Sequence, residues 1–160
     1  MKKHSGFTLI ELMITTVIFA VVISAAVPAF RQLMERKSVP QVAKMLEKAI
    51  QAARVQARSK STTVILRPTN TLWDDGFEVI WVDASNNTHL LREYPAVPSV
   101  AAITSTDFTR TNPLTFNPDG QAARTGSFSL APSDANPSSL CQYTVNVLIS
   151  GMVQKRFSGC

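Results

Sequence analysis

The chain opens with one long hydrophobic segment, Phe7–Val27, in which sixteen of twenty-one residues are apolar and Glu11 is the single charge. A helix of this length is about 31 Å long, close to the roughly 30 Å hydrocarbon core of a bilayer. Lys2 and Lys3 precede the segment, and positively charged residues beside a span stay in the cytoplasm. The pattern therefore predicts a single-pass helix whose following residues lie outside the cytoplasm.

A cleaved secretory signal is the alternative interpretation of this segment, with Ser24-Ala25-Ala26 as a small-residue cleavage site. However, the apolar run exceeds the roughly 7–15 residues that such signals usually contain. Glu11 also lies inside the run, where an unpaired carboxylate is costly unless it reaches the nearby membrane surface. Both observations favour a helix that is retained and a carboxylate that acquires a partner.

After Pro28 the apolar residues recur at steps of three and four, which is typical of one face of an amphipathic helix. The residues on this face are Val39, Val42, Leu46, Ala49, Ile50, Ala53 and Ala57. Pro40 cannot donate a helical hydrogen bond, and Ser38 with Gln41 has the spacing of a capping box. We therefore expect a break or restart near Ser38 and a helix end around Ser59 to Ser61.

Beyond Lys60 the pattern changes to short runs of β-branched and aromatic residues separated by turn residues. The predicted strands are Thr62–Arg67, Phe77–Val82, His89–Glu93, Pro113–Phe116, Phe128–Leu130 and Gln142–Ile149. Their separators are rich in Gly, Pro, Asn and Asp. This meander predicts antiparallel sheets against which the amphipathic helix packs, and so an α+β fold.

The formal net charge of +5 is unevenly distributed along the chain. Residues 31–60 hold eight basic and two acidic side chains, whereas residues 61–160 hold six basic and eight acidic ones. Arg54, Arg58 and Lys60 complement the dipole at the helix C-terminus, which we prefer to a phosphate-binding role. The slightly acidic C-terminal part argues against a general nucleic-acid-binding surface there.

No catalytic constellation is evident in the sequence. It lacks a nucleophile elbow, a phosphate-binding glycine loop and a metal-spaced set of His and Cys residues. His89 stands alone in a strand-like run. Phe77 and Trp81 have the even spacing of one strand face, so with Trp73 they indicate a core and not a stacking platform for nucleic acid. We expect no enzyme activity, no cofactor and no metal.

Two cysteines, Cys141 and Cys160, lie within the last twenty residues. Their spacing is too wide for a redox or zinc half-site. A single disulfide closing the C-terminal segment is the economical interpretation, and two unpaired thiols are the alternative. Such a bond requires an oxidising compartment, which agrees with the topology expected from the N-terminal segment.

The string Gly6-Phe7-Thr8-Leu9-Ile10-Glu11-Leu12 resembles the processing site of type IV pilins and type II secretion pseudopilins. The resemblance implies that a prepilin peptidase cleaves between Gly6 and Phe7 and methylates the new N-terminus at Phe7. It implies that Glu11 selects register by pairing with a neighbouring subunit's amine and that Pro28 kinks the helix. It also implies residence in the bacterial inner membrane, with contact to its lipid, before assembly with other minor and major pilins.

The later segments are similar to the FimT/FimU minor pilins and the GspH pseudopilins. The similarity lies in the helix end from Ala53 to Ala57, the turn Phe116-Asn117-Pro118-Asp119-Gly120 and the closing strands around Gly151. The paired cysteines resemble the FimU type. The family implies a leader at residues 1–6, a transmembrane and assembly helix at 7–28, its amphipathic continuation at 29–61 and a periplasmic β-rich head at 62–160. It implies a minor pilin of a type IV pilus tip, with a secretion pseudopilin as the alternative.

A third function, DNA reception for natural transformation, is implied less strongly. Competence-associated members carry a Gly-Arg-x-Arg motif in the final hairpin. Here Gly151-Met152-Val153-Gln154 stands in that place, and Lys155 and Arg156 follow beyond it. This pair remains a candidate for weak DNA contact, although two charges at a strand end are more often solvated.

Overall fold

The computed structural model describes residues 8–133 and 142–158, apart from the side chains at positions 31, 32, 35 and 36. The candidate residues Gly6, Phe7, Cys141 and Cys160 lie outside the described residues. One helix, α1, spans Leu9–Lys60, and a short 3-10 helix spans Trp73–Asp75. Eight strands follow α1: β1 Val64–Pro68, β2 Phe77–Val82, β3 Thr88–Tyr94, β4 Ala101–Thr104, β5 Leu114–Phe116, β6 Gly126–Pro132, β7 Gln142–Val147 and β8 Val153–Ser158.

The helix α1 passes through Pro28 and Pro40 without interruption, so the expected break near Ser38 is wrong. A proline inside a helix removes one hydrogen bond and crowds a preceding carbonyl. At Pro40 the packing of the surrounding turns offsets this cost, because Ser38 and Val39 are buried. The helix ends at Lys60, as expected, where Ser61 adopts a positive φ of 49°.

The chain divides into two compact units, Met1–Met34 and Glu35–Cys160. In the first unit, the segment Leu9–Phe30 has 22 residues and a mean hydropathy of 2.4, and none of it is buried. Its length and composition suffice for a membrane span. In the second unit, the same helix continues as the amphipathic segment and packs on the β-sheets.

Two four-stranded antiparallel sheets form the β-rich part. The first has the order β3-β2-β1-β5 and the second has the order β4-β6-β7-β8. The six predicted runs are all strands, but β4 and β8 were not among them. The sequence of β4 is only four residues long and rich in alanine, and β8 is almost entirely exposed, so neither shows a clear hydrophobic alternation.

The core lies between the apolar face of α1 and the inner faces of both sheets. The predicted helix face is buried throughout, with each of its residues at most 3% exposed. The largest fully buried side chains are phenylalanines from the strands and loops: Phe77, Phe108, Phe116 and Phe128. Burial of this apolar surface is the main stabilising contribution to the fold. The arrangement confirms the expected α+β class.

Aromatic rings connect the two sheets across this core. The ring of Trp73 lies 5.9 Å from that of Phe77 in β2 and 4.8 Å, edge-on, from that of Phe128 in β6. The Trp73 indole N–H donates to the carbonyl of Phe108 at 2.9 Å. Trp73 and Phe77 are thus core residues, as expected, and are not available as a stacking platform.

Candidate functional site

Glu11 takes part in a capping box at the start of α1. The Thr8 hydroxyl accepts from the Glu11 backbone N–H at 3.3 Å, and the Thr8 backbone N–H donates to Glu11 Oε2 at 3.5 Å. This is the reciprocal pattern expected of a Thr at the N-cap and a Glu three residues later. Sequence reasoning assigned Glu11 to assembly and missed this local role, although the Thr8-x-x-Glu11 spacing is its signature.

The amine expected to pair with Glu11 is that of Phe7 in a neighbouring subunit, and Phe7 lies outside the described residues, so that pairing stays a prediction. The Glu11 side chain is exposed. A capping carboxylate at a helix N-terminus also interacts favourably with the positive end of the helix dipole. The structure thus shows that this carboxylate caps the start of the helix.

The three segments that carry the similarity of the globular part meet at one place. Gly120 closes the turn that begins at Phe116, with its N–H donating to the Asn117 carbonyl at 2.8 Å. Gly151 lies at the turn between β7 and β8 and has φ 73°, while Gly120 has φ 78°. The left-handed region favours glycine at both positions. A β-carbon on Gly151 would overlap the Gly120 carbonyl oxygen.

Two arginines of α1 join this place, which we call the glycine junction (Arg54, Arg58, Gly120 and Gly151). Arg54 Nε donates to the Gly120 carbonyl at 3.2 Å, and Arg58 Nε donates to the Asp119 carbonyl at 2.9 Å. These bonds tie the C-terminal turns of α1 to the two glycine turns. They support the structural interpretation of both arginines over a phosphate-binding one.

The candidate DNA-contact residues Lys155 and Arg156 point to opposite faces of the second sheet. Lys155 pairs across the ladder with the fully buried Val145, and Arg156 pairs with Thr144. Successive strand residues alternate between faces. The Lys155 ammonium lies 2.8 Å from the Glu47 carboxylate of α1. The structure therefore does not combine the two charges into one basic patch, and Lys155 already has an acidic partner.

His89, isolated in the sequence, is placed in a small polar cluster by the hairpin of β2 and β3. Its Nε2 lies 3.0 Å from Asp83 Oδ2, and its ring stacks on Trp81 with centroids 4.5 Å apart. The hydrogen bond from His89, followed by the backbone N–H of Asn87, lowers the pKa of Asp83 to about 2. The Lys60 ammonium lies 5.1 Å from the Trp81 ring centroid. The cluster attaches the helix end to the hairpin.

Within residues 8–133 and 142–158, no group of three or more His, Cys, Asp or Glu side chains is arranged to hold a metal ion. The acidic residues at the 3-10 helix have a structural use. Asp74 Oδ1 accepts from the backbone N–H of Ile103 and thus joins this helix to β4.

Comparison with known proteins gives two family matches. Residues 42–151 match the family described as type II transport protein GspH, and residues 1–27 match the prokaryotic N-terminal methylation motif. The first match alone covers more than half of the chain. No curated protein sequence gives a significant match.

Two solved structures have a similar fold at low sequence identity. The type IV minor pilin FimU of Pseudomonas aeruginosa is 19% identical, with a TM-score of 0.62 over 78% of this chain and 92% of its own. The minor pseudopilin EpsH of the Vibrio cholerae type 2 secretion system is 10% identical, with a TM-score of 0.62 over 76% of this chain and 98% of its own. The chain therefore belongs to the GspH family, and it carries the prokaryotic N-terminal methylation motif.

Proposed function

We propose that this protein is a non-enzymatic minor pilin that is incorporated into a type IV pilus or primes its assembly at the tip. The observation that carries this proposal is the apolar segment Leu9–Phe30, none of which is buried and which belongs to the helix Leu9–Lys60. An exposed apolar surface of this size requires lipid or other apolar helices around it. A pilin meets both environments: lipid before assembly, and the apolar helices of other subunits within the filament.

The assembly mechanism follows from this helix. The chain waits in the bacterial inner membrane as a single span, with its N-terminus in the cytoplasm and its head in the periplasm. Prepilin peptidase cuts after Gly6 and methylates Phe7, and the new amine lies four residues before Glu11. On leaving the bilayer, the apolar segment packs against related helices, and an amine–carboxylate pair in that low-dielectric interior selects the register.

Intact-mass analysis of the chain extracted from membranes tests the processing step. We expect the mass that remains after loss of Met1–Gly6 and gain of one methyl group. A mature chain that begins at Val27 would contradict the proposal, because a secretory signal would then have removed the whole assembly helix.

Glu11→Ala separates processing from assembly. We expect cleavage after Gly6 to proceed, while incorporation into sheared filaments falls, because the amine of Phe7 loses its partner. Glu11→Asp is the matched control, since it keeps the charge on a shorter side chain and should retain more incorporation. Equal incorporation of wild type and Glu11→Ala would remove the proposed role of this carboxylate.

A type II secretion pseudopilin is the second candidate function, favoured by the family match over residues 42–151. An in-frame deletion of the gene distinguishes the pilus function from the secretion function. Loss of surface pili with normal secretion supports the pilus assignment, and loss of secreted enzymes with normal pili supports the secretion assignment. The full-length gene should restore the lost phenotype in either case.

A DNA receptor is the third candidate, and the hairpin of β7 and β8 argues against it. Lys155 is bonded to Glu47, and Arg156 lies on the other face of the sheet. We expect the full-length chain in detergent to bind duplex DNA weakly, with an affinity that falls steeply as salt rises. Lys155→Ala with Arg156→Ala should change this binding little. Tight binding at physiological salt that disappears in the double variant would favour the receptor function.

A further inference from the structure

A cleft of about 540 Å³ opens on the head where the end of α1 meets two turns. Its walls come from the residues that follow α1, from the end of β2 with the turn to β3, and from the turn after β5. The lining residues are Ser61, Thr62, Thr63, Val82, Asp83, Ala84, Asn86 and Pro118. This volume lies within the range of roughly 300–1,000 Å³ that is usual for small-molecule sites.

Two residues of the cleft have a backbone conformation that L-residues rarely adopt. Ser61 has φ 49° and Asn86 has φ 62°, and among the described residues they are the two non-glycine positions with positive φ. Glycine adopts this conformation without strain. At both positions the chain has instead a polar side chain, and strained positions of this kind cluster at functional sites.

Three polar side chains of the cleft have unused hydrogen-bonding capacity. Within residues 8–133 and 142–158, the hydroxyl groups of Ser61 and Thr63 and the side-chain amide of Asn86 form no hydrogen bond. Together they offer both donors and acceptors to a ligand. The Thr62 hydroxyl has a different task, because it donates to the Val82 carbonyl at 2.9 Å and so joins two walls of the cleft.

Asp83 is the charged residue that lines the cleft, and its carboxylate already has partners. Oδ1 accepts two backbone N–H groups, at 2.9 and 2.7 Å. Oδ2 accepts from the Asn87 amide at 3.2 Å and lies 3.0 Å from His89 Nε2. These four contacts use the acceptor sites of a carboxylate. A ligand therefore meets uncharged hydroxyl and amide groups, which favours a neutral ligand over a metal ion or a phosphate.

Apolar groups complete the lining. Val82, Ala84 and Pro118 lie beside the polar residues, and a sugar ring offers a matching combination of hydroxyl groups at its rim and C–H groups on its faces. An extended peptide fits less well. The strands β1 and β2 each have a neighbouring strand on both sides, so they offer no free edge that a peptide could extend.

We infer that this cleft binds a neutral saccharide, with Ser61, Thr63 and Asn86 bonded to its hydroxyl groups. Asp83 is a positioning residue, because it holds the turn that carries Asn86 and has no acceptor site left for the ligand. The inference goes beyond the proposed function. It assigns a binding activity to the head itself and does not require the chain to enter a filament.

Saturation-transfer NMR on the full-length chain in detergent tests the inference. The detergent must lack a sugar headgroup, because a maltoside would compete for the cleft. The neutral probes are lactose, maltose, cellobiose, chitobiose and mannobiose, and sialyllactose is the charged comparison. We expect transfer to at least one neutral probe, with a dissociation constant on the order of 0.1–1 mM. The absence of transfer to every neutral probe, or tighter binding of sialyllactose than of all of them, would overturn the inference.

Two matched double variants locate the binding site. Thr63→Val with Asn86→Gly removes a hydroxyl and an amide from the cleft, and glycine accepts the positive φ at position 86. We expect binding at least about tenfold weaker. Thr71→Val with Asn70→Gly makes the same chemical changes at exposed positions outside the cleft and should bind as wild type does. Unchanged binding in the cleft variant, or an equal loss in both variants, would contradict the assignment.

Thermal unfolding of the same preparations separates loss of the site from loss of the fold. If the double variant is unfolded at the temperature of the NMR experiment, Asn86→Gly alone replaces it, since this position is exposed and its conformation suits glycine. Wild-type binding by that folded variant would overturn the inference. Failure of the chain to enter filaments would contradict the proposed function and leave saccharide binding unaffected.

Discussion

Gly151 faces the carbonyl oxygen of Gly120 so closely that a β-carbon on Gly151 would overlap that oxygen. The two residues are 31 positions apart in the sequence, and each closes its own turn with a positive φ. Arg54 donates to the same oxygen from the helix side. The Gly120 carbonyl is therefore in contact with both α1 and the final hairpin, and it joins these two segments, which are distant in the sequence.

Gly151→Ala should destabilise the head. The left-handed conformation costs an L-residue about 1–2 kcal/mol, and displacement of the Gly120 carbonyl adds to this, so we expect a loss of about 2–4 kcal/mol. Denaturant unfolding of a head that begins at residue 29 measures it. Gln154→Ala, at an exposed position of β8, is the control and should stay within about 0.5 kcal/mol of wild type.

Arg54→Lys tests whether the arginine acts through its hydrogen bond or only through its charge. Lysine keeps the positive charge near the helix C-terminus but lacks the Nε that bonds to Gly120. We expect a loss of about 1–2 kcal/mol in unfolding free energy. Lys48→Met, at an exposed position with no ion pair among the residues that the structure describes, is the control. Equal stability of Arg54→Lys and wild type would show that the dipole interaction alone accounts for Arg54.

Cys141 and Cys160 should form a disulfide in the mature protein. The ladder of β7 and β8 pairs Gln142 directly with Ser158. In the sequence, Cys141 comes one residue before Gln142, and Cys160 comes two residues after Ser158. A bond would close a short loop and stabilise the head by about 3 kcal/mol. Thiol labelling of native, unreduced protein should detect no free cysteine, and Cys160→Ser should lower stability by a similar amount. Two labelled thiols in the native chain would contradict the pairing.

The Asp83 carboxylate should make stability depend on pH in the acid range. Its folded pKa, about 2, lies below the ordinary value of 3.8, mainly because His89 bonds to it. A lowered carboxylate pKa contributes stability above pH 4 that disappears as the pH falls toward 2. Unfolding free energies of wild type and Asp83→Asn should therefore converge over that range. A constant difference between pH 5 and pH 2 would exclude this titration.

The helix and most strands were predictable because their signals are local. The apolar face of α1 repeats with the helical period, and β2 is a short β-branched and aromatic run beside turn residues, so its bounds Phe77–Val82 were predicted without error. The break at Ser38 was predicted wrongly because the local rule for Pro40 ignores packing. Val39, on the preceding turn, is fully buried against the sheets, and such burial outweighs a missing hydrogen bond.

The partners of individual side chains were not predictable. Nothing in the sequence around Lys155 indicates Glu47, 108 positions earlier, because the pairing depends on how β8 lies against α1. The same is true of His89, which looked isolated until the hairpin brought it to Asp83. The separation of two residues in the sequence does not indicate such side-chain contacts, because the contacts depend on how several helices and strands pack together.

The sequence by itself determined the N-terminal processing motif, the membrane-length helix, the α+β class and the family, because each depends on periodicity or on a short contiguous string. Only the tertiary structure decided that Arg54 serves the glycine junction and that Lys155 and Arg156 face apart. The physical reason is that periodicity is a property of neighbouring residues, whereas hydrogen bonds, ion pairs and exposed faces depend on which distant elements the core brings into contact.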